Sequence, residues 1–244
     1  MARLGLDFPT GWSRAWTARV VRSIVHGAFL APYMRHLATL EVRGLENLPA
    51  DTPLVFAANH TSNLDTPLLL SALPARVRRR TVVAAAMDSF FMTRLKAART
   101  VLLFNAIPID RHRVNRRSAQ IAQGLLEEGW NLLIYPEGGR SPTGELHEFK
   151  GGAAYLAERT GAIVVPTYIH DAAWLRGPKY AKAPRFTSAP NRRRHHVIVA
   201  FGSPLRADEG ENVRRLGARI EGAVTELGRT VSGDPNYGVK PPSP

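Results

Sequence analysis

Strand-like and helix-like segments alternate along most of the chain, and this alternation limits the fold more than any other feature. Short apolar runs have the pattern of buried strands, and between them apolar residues recur every three or four positions, as in helices. The predicted strands lie at 39–44, 52–58, 80–87, 105–110, 130–136, 162–169 and 195–202. The predicted helices lie at 65–73, 89–98, 114–129, 151–161 and 210–228. The alternation predicts an α/β fold with a single largely parallel or mixed sheet flanked by helices.

An amphipathic helix is predicted ahead of the first strand, over residues 12 to about 36. Its apolar residues form a broad face, while Arg19, Arg22 and His26 share a narrow polar stripe. A broad apolar face with tryptophans and a basic edge is typical of a helix that lies in a membrane interface. The same face is also consistent with a helix that covers the protein's own core, and both arrangements could hold along different parts of it.

Three regions are therefore expected. Residues 1–38 form an N-terminal amphipathic helical arm that associates with a membrane, and residues 39–231 form the α/β domain. Residues 232–244 are rich in Pro, Gly and Ser and are predicted to be a flexible tail. No signal peptide is expected, because the first residues lack an apolar core, and no stretch reaches the ~20 apolar residues that a membrane span needs.

The net charge of +13 points to an anionic partner. Nucleic acid, an anionic membrane and a phosphorylated substrate all fit such a field. Arginines concentrate in three clusters, at 76–80, 111–117 and 192–194. A nucleic-acid-binding module is the less favoured reading, because aromatic residues make up only 8% and no known nucleic-acid-binding motif occurs. The absence of cysteine excludes disulfides, thiolate catalysis and cysteine-bound zinc.

The polar stretch NHTSNLD (59–65) falls between a predicted strand and a predicted helix. Open α/β sheets place their ligand crevice at such junctions. If His60 lies in the turn, Asp65 can fold back to its ring and fix the imidazole tautomer. The alternative is that the polar residues merely cap the turn. Thr66 and Pro67 resemble an N-cap and a first helical position, which predicts that Asp65 lies just before the helix.

A second polar loop, YPEGGRS (135–141), follows another predicted strand. Arg140 has a planar fork that suits a phosphate, and Glu137 is expected to hold that fork in place. The spacing of glycines suggests a P-loop only superficially, because Glu145 and Leu146 stand where Lys and Ser or Thr should follow. No G-x-S-x-G motif supports a serine hydrolase.

Four blocks, NHTSNLD, NAIPIDR, YPEGGRS and VVPTYI, occur in that order, each at a predicted strand end. Together they resemble the glycerolipid acyltransferase superfamily, above all the 1-acyl-sn-glycerol-3-phosphate (lysophosphatidate) acyltransferases. The family pattern N-H-x-S-x-x-D is met by Asn59, His60, Ser62 and Asp65. The pattern F-P-E-G-T-R-S is met by Pro136, Glu137, Gly138, Arg140 and Ser141, with Tyr135 and Gly139 as departures. Asn105 replaces a usual glycine, but asparagine tolerates a left-handed backbone.

The resemblance implies that His60 is a general base and that Asp65 orients it. It implies that the loop 136–141 holds the phosphate of the acyl acceptor together with Arg111, and that Pro166 shapes a substrate pocket. The substrate-binding residues expected on this basis are Asn59, Ser62, Arg111, Glu137, Gly138, Arg140, Ser141 and Lys150. No metal or cofactor is implied, and the acyl donor is an acyl-CoA or acyl-carrier-protein thioester.

The reaction expected is transfer of a fatty acyl group to the free hydroxyl of a lysophospholipid, converting 1-acyl-sn-glycerol-3-phosphate to phosphatidate. It needs a base, donors for the oxyanion such as N–H groups at a helix start, and a clamp for the acceptor. Glycerol-3-phosphate and lyso-ornithine lipid are alternative acceptors, and an inactive membrane scaffold is a further alternative. The expected place is the cytoplasmic face of the cell membrane, as a peripheral protein on anionic lipid, with acyl carrier protein as a further partner and no nucleic acid.

Overall fold

The structure, a computed structural model, describes residues 5–50, 53–112, 115–141, 144–172 and 195–238. The strands are β1 (Ala38–Arg43), β2 (Leu54–Ala58), β3 (Thr81–Ala86), β4 (Ala106–Ile109), β5 (Asn131–Ile134), β6 (Ile163–His170) and β7 (His195–Phe201). Within the described residues they form one sheet in the order β1-β7-β6-β2-β5-β3-β4. Neighbouring strands are parallel except β6 and β7. The predicted α/β class with a largely parallel sheet is confirmed.

Helices cover both faces of this sheet. They are α1 (Trp16–Val25), α2 (Ala31–Leu37), α3 (Asp65–Ala72), α4 (Ala75–Arg79), α5 (Met87–Phe90), α6 (Arg94–Phe104), α7 (Arg116–Glu127), α8 (Gly152–Thr160) and α9 (Val213–Ser232). Helices α2 and α3 pack on one face, and α7, α8 and α9 pack on the other. The sheet is therefore the middle layer of three.

The central strand β2 shows how the sequence produces this layering. Each of its five residues is buried, which explains why it reads as a continuous apolar run rather than an alternating one. Successive side chains point to opposite faces. Phe56 packs in a cluster with Leu68 of α3, whereas Val55 packs in a second cluster with Leu216 of α9.

The helix predicted over residues 89–98 is wrong in its bounds. The structure has two helices there, separated at residues 91–93. Phe91 is fully buried at this break, and its ring lies 6.0 Å from that of Phe8 in an edge-on arrangement. The second helix starts afresh because the Thr93 hydroxyl accepts a hydrogen bond from the Lys96 N–H at 3.3 Å. Burial of one aromatic side chain thus overrides local helical periodicity.

The predicted N-terminal helix is present, as α1, a π-helical turn at His26–Leu30, and α2. Its second part packs inward, because Met34 is buried in the main core cluster with Leu30 and Leu37 against it. That part covers the protein's own core, as one of the two readings predicted. Among the described residues, every helix is too short or too polar to cross a bilayer.

The first part of the arm has the opposite orientation. The apolar side chains of Trp16, Ile24 and Phe29 are 73%, 58% and 67% exposed. Arg22 and His26, from the predicted polar stripe, are buried against the body of the protein. The basic edge therefore faces inward and the apolar face outward, an arrangement that a helix covering a core would reverse.

Several predicted features lie wholly or partly outside the described residues. Among them are the arginine cluster at 192–194, Arg113 of the cluster at 111–117, and residues 239–244 of the predicted tail. Helix α9 ends at Ser232, four residues beyond the predicted end of that helix, so it includes the first residue of the predicted tail.

Candidate active site

Parallel strands bring four polar segments to one edge of the sheet. β2, β3, β4 and β5 run in the same direction, so the residues that follow their carboxyl ends lie on the same side. His60 follows β2, Asp88 follows β3, Arg111 follows β4 and Glu137 follows β5. This edge is the usual place for a ligand crevice in an open α/β sheet.

His60 and Asp65 are in contact. Nδ1 of His60 lies 2.8 Å from Oδ2 of Asp65, and the carboxylate is completely buried while the imidazole is 18% exposed. The same oxygen accepts hydrogen bonds from the backbone N–H groups of Thr61 and Ser62 at 2.7 and 2.8 Å. Because a carboxylate only accepts, Nδ1 carries a proton, and in the neutral imidazole Nε2 is therefore the nitrogen with the lone pair. Both readings of this stretch hold, since Asp65 secures the turn and the imidazole together.

The start of the following helix differs from the prediction. α3 begins at Asp65 itself, and Leu64 precedes it without a side-chain cap. The Thr66 hydroxyl lies instead 2.9 Å from the hydroxyl of Tyr135. The N–H groups of Thr61 and Ser62, just before the helix, are engaged by Asp65 and so do not act as oxyanion donors.

Tyr135 supports the imidazole from one side, a contact that the sequence did not predict. The two rings are stacked, with centroids 4.0 Å apart and planes inclined by 18°. Burial, together with the negative charge of Asp65, raises the pKa of the Tyr135 phenol well above its usual value. The tyrosine therefore stays neutral and acts as an aromatic wall. The aromatic residue before Pro136 was the only signal for it in the sequence.

The loop after β5 holds the main chain of His60 from both sides. Glu137 Oε1 accepts a hydrogen bond from the His60 N–H at 2.7 Å, and Ser141 donates its N–H to the His60 carbonyl at 2.7 Å. The other Glu137 oxygen accepts from the His147 N–H at 3.0 Å. The expectation that Glu137 holds Arg140 is wrong, because its carboxylate holds the histidine turn instead, and the Arg140 side chain is exposed.

Glu137 is an unusual carboxylate because it is buried. Burial raises its pKa to about 7, and the hydrogen bonds from the backbone of His147 and His60 lower it only in part. The negative charges of Asp65 and Glu221 raise it further. Near neutral pH, both its protonated and its ionised forms are therefore populated.

This shift predicts a pH dependence of stability. The folded protein binds a proton at Glu137 up to about pH 7, whereas an unfolded chain releases it near the usual value of 4.5. Stability therefore falls as pH rises between these values, by at most about 3 kcal/mol. The side chain of Glu137→Gln does not titrate. The free energy of unfolding of the wild type, measured relative to that of this variant, should therefore fall by up to that amount as the pH rises. Urea unfolding at about pH 5 and about pH 8 measures it. If the wild type and Glu137→Gln differed in free energy of unfolding by the same amount at both pH values, the raised pKa of Glu137 would be contradicted.

A cationic group lies beside this histidine turn. Arg111 donates from Nε and Nη2 to one oxygen of Asp88, at 3.1 and 2.8 Å. The Lys150 ammonium donates to the carbonyl of Arg111. The same ammonium packs against Gly138, where the Cβ of any other residue would lie only 2.6 Å from it. The backbone φ of 70° at this position also favours glycine. Arg111, Lys150 and the loop that holds His60 therefore meet at one place.

Asp88 is the residue of this group that the sequence analysis missed. It also contacts His112, whose Nε2 lies 3.1 Å from the same carboxylate oxygen. Partial burial would raise the pKa of Asp88, but hydrogen bonds from His112 and Arg111 outweigh it and hold the pKa below its usual value. The signal available in the sequence was an acidic residue directly after a strand, at the edge where the other motifs end.

Two predicted substrate-binding residues have other partners. Asn59 donates to the Ile169 carbonyl at 3.0 Å and accepts from the Ile169 N–H at 2.7 Å, which ties the end of β2 to β6. The Ser62 hydroxyl accepts a hydrogen bond from the Leu64 N–H at 3.2 Å. Both side chains are buried, so in this structure they position the turn. Across the described residues, no group of three or more His, Asp or Glu could hold a metal ion.

Comparison with known proteins gives the family of this site. Residues 39–170 match the Acyltransferase family. The chain is 28% identical over 201 residues to the 1-acyl-sn-glycerol-3-phosphate acyltransferase alpha of Bos taurus, covering 80% of this chain and 64% of that one. It is 30% identical over 231 residues to the 1-acyl-sn-glycerol-3-phosphate acyltransferase of Pseudomonas aeruginosa, covering 91% and 76%. It thus spans less than two thirds of the bovine relative.

One solved structure has the same fold. The crystal structure of the 1-acyl-sn-glycerophosphate (LPA) acyltransferase PlsC of Thermotoga maritima superposes with a TM-score of 0.57 at 22% identity. The likeness covers 86% of this chain and 81% of that one, and it bears on the fold alone. The match to the Acyltransferase family takes in more than half of the 244 residues and all four sequence blocks. The chain therefore belongs to the glycerolipid acyltransferase family.

Proposed function

We propose that the protein is an O-acyltransferase that acylates a lysophospholipid, with 1-acyl-sn-glycerol-3-phosphate as acceptor and phosphatidate as product. The observation that carries this proposal is the His60–Asp65 pair. Its Nδ1 is fixed by a buried carboxylate and its Nε2 is left as a base, at the sheet edge where Arg111 and Lys150 lie. The names of the relatives support the same acceptor.

The chemistry follows from this tautomer. Nε2 of His60 takes the proton of the acceptor hydroxyl as its oxygen attacks the thioester carbonyl, a step worth about 10²–10⁴-fold for a general base. Asp65 stabilises the imidazolium that forms. A C–O bond forms, the C–S bond breaks, and the thiolate leaves with the proton that the imidazolium returns. The histidine ends in its starting state, so the cycle closes without a further reactant.

The acceptor phosphate is assigned to the cationic group. Arg111 is held by Asp88 through two hydrogen bonds, so its guanidinium is oriented before substrate binds. Lys150 lies against Gly138, and Arg140 is exposed two residues further along the same loop. Guanidinium groups bind phosphate oxygens in a bidentate manner, which favours a phosphorylated acceptor.

The donor in this proposal is an acyl thioester, either acyl-CoA or acyl-acyl carrier protein. No metal or redox cofactor takes part in the transfer as written. In this proposal the protein works at the cytoplasmic face of the cell membrane as a peripheral protein. The exposed apolar face of α1 supports the membrane contact, because it suits the interface of a bilayer. Anionic lipid supplies the counter-charge for its net charge of +13.

The experiment is a panel of acceptors with purified protein. Acyl-CoA or acyl-acyl carrier protein is mixed with 1-acyl-sn-glycerol-3-phosphate, glycerol-3-phosphate or lyso-ornithine lipid, and products are identified by mass spectrometry. Phosphatidate as main product supports the proposal. Preference for another acceptor overturns the acceptor assignment, and no product from any pair overturns the activity.

Arg140→Gln is expected to weaken acceptor binding selectively. Loss of one charge-assisted hydrogen bond to phosphate should raise KM for the acceptor about 10- to 100-fold with kcat little changed. Steady-state kinetics over a range of acceptor concentrations measure this. The matched control is Arg159→Gln, an exposed arginine in the last turn of α8, close to the start of β6 and so at the opposite end of the strands from the site. An unchanged KM in Arg140→Gln would exclude this arginine from the clamp.

A further inference from the structure

A cleft separates the N-terminal arm from the body of the protein, and its lining is strongly cationic. The cleft is small, with about 20 Å³ of enclosed space, and it opens to solvent. Four arginines and a histidine contribute to it, namely Arg19, Arg22, His26, Arg78 and Arg79. Within the described part of the chain, its lining contains no aspartate or glutamate.

The cleft is distinct from the candidate active site. Thr81 and Phe104 also line it, and these are the first residue of β3 and the last residue of α6, directly before β4. The cleft therefore lies at the amino ends of β3 and β4, whereas His60 lies at the carboxyl edge. A strand of six residues spans roughly 16 Å, so the cleft and His60 lie at opposite ends of the strands.

The protein only partly compensates the charges in this cleft. Arg22 and His26 contact backbone carbonyls in the last turn of α6 at 3.2 and 2.7 Å. Arg78 donates to two carbonyls at the end of α3, at 3.4 and 3.1 Å. Each helix C-terminus supplies about half an elementary negative charge, which gives about one in total against four guanidinium groups. The cleft keeps a large positive excess.

Burial lowers the pKa of several groups that line the cleft, and neighbouring positive charges lower it further. Burial, with the positive charges of Arg19 and Arg14, lowers the pKa of Arg22 to about 10. Burial and the charge of Arg79 lower the pKa of Arg78, and burial with the charges of Arg78 and Arg22 lowers that of His26. A bound anion would relieve this repulsion.

The position of the arm indicates where such an anion comes from. The outward face of α1 is apolar and exposed, with Trp16 and Ile24 on it, while Arg19 and Arg22 line the cleft behind the same helix. A helix in the interface buries its apolar face about 5–10 Å into the boundary of headgroups and acyl chains. Since a helix is about 10 Å across, its opposite side then lies at the level of the lipid headgroups.

We propose that this cleft binds the phosphate group of an anionic phospholipid headgroup and so fixes the arm on a membrane that contains such lipids. The ligand chemistry is a phosphate ester, which arginine forks bind in a bidentate manner. This inference depends on the proposed membrane association of the arm, but not on the acyl transfer reaction. It assigns a second, non-catalytic lipid contact.

The test uses the full chain and vesicle flotation at about 0.15 M salt. Vesicles contain phosphatidylcholine alone or with phosphatidylglycerol, which is neither substrate nor product of the proposed reaction. Arg19→Gln/Arg79→Gln is the test variant, because neither side chain holds a backbone carbonyl among the described residues. The matched control is Arg206→Gln/Arg214→Gln, which removes the same charge from exposed positions away from the cleft.

Wild type should prefer the vesicles with phosphatidylglycerol, and the cleft variant should lose roughly tenfold or more of that preference. The control should keep it within about threefold, because charges beyond a Debye length are largely screened. Equal losses in both variants, or none in the cleft variant, would overturn the proposal. Binding to phosphatidylcholine alone should be the same in all three proteins. If wild type fails to bind any vesicle, it is the membrane association of the arm that fails.

A second experiment distinguishes a lipid phosphate from a soluble phosphate as the ligand of the cleft. Inorganic phosphate at millimolar concentration is added to wild type in the flotation assay. The preference for phosphatidylglycerol should persist. The membrane holds the lipid phosphate next to the cleft, whereas inorganic phosphate has to bind from solution. Loss of the preference at constant ionic strength would assign the cleft to a soluble anion and overturn the lipid assignment.

Discussion

Replacing His60 by alanine is expected to lower kcat for acyl transfer by about 10²–10⁴-fold, with KM for both substrates little changed. The reason is that Nε2 of this imidazole is the proposed base, while the phosphate-binding groups lie on other loops. Some stability should be lost as well, because the buried carboxylate of Asp65 loses one of its three hydrogen-bond donors and Tyr135 loses the stacked ring. Initial rates of thiol release from acyl-CoA measure kcat, and thermal unfolding checks the fold.

The matched control is His147→Ala. His147 is exposed and only its backbone N–H takes part in the site, through Glu137, so its side chain should be dispensable. Asp65→Asn is the companion variant, because a neutral amide cannot stabilise the imidazolium that forms when His60 takes the proton. Its kcat should fall as strongly as that of His60→Ala. Wild-type rates in His60→Ala would remove the proposed base, whatever the outcome for Asp65→Asn.

Predictions of the fold from the sequence succeeded where local pattern and tertiary packing agree. The seven strands were found within a few residues, because most of them are apolar runs between polar loops. The short helix α4 was missed, since its five residues are mostly arginine and alanine and have no apolar stripe. The bounds of the helix predicted over 89–98 were wrong because Phe91 is buried in a small core cluster that includes residues distant in sequence, such as Phe8.

The site was predictable to the level of motifs. The resemblance singled out His60 and Asp65, and the structure brings them into contact. The partners of Glu137 were not predictable, because they are backbone groups 77 and 10 residues away and leave no pattern in the chain. Asp88 was missed for a different reason, because an acidic residue after a strand is a weak signal until the parallel pairing of β3 and β4 places it beside Arg111.

The orientation of the arm is the clearest example of a feature that the sequence pattern did not predict. Periodicity identified an apolar face and a polar stripe, but it did not say which of them faces the protein. The polar stripe faces inward because helix ends offer carbonyls to Arg22 and His26, which is information held by α6 rather than by the arm. This reversal is the main physical argument for membrane contact, because it leaves large apolar side chains exposed.

The triple variant Trp16→Ser/Ile24→Ser/Phe29→Ser should therefore lose membrane association. Burying such side chains in an apolar phase contributes about 1.5–3 kcal/mol each, so partition onto neutral vesicles should fall by 10³-fold or more on this order-of-magnitude estimate. The three are 73%, 58% and 67% exposed, so the fold should not need them. Point variants are preferable to deleting the arm, because Met34 of the arm is buried in the core.

Two measurements make this result specific. Leu45→Ser, at an exposed apolar residue after β1 at the far edge of the sheet, should partition like the wild type. The triple variant should also keep its kcat on a short-chain acceptor dissolved as monomers, while its rate on acceptor held in vesicles falls with partitioning. That split is expected because the arm is the proposed contact with lipid, whereas His60, the proposed base, lies at the carboxyl ends of the strands. Undiminished flotation of the triple variant would show that the exposed face of α1 does not contact the membrane.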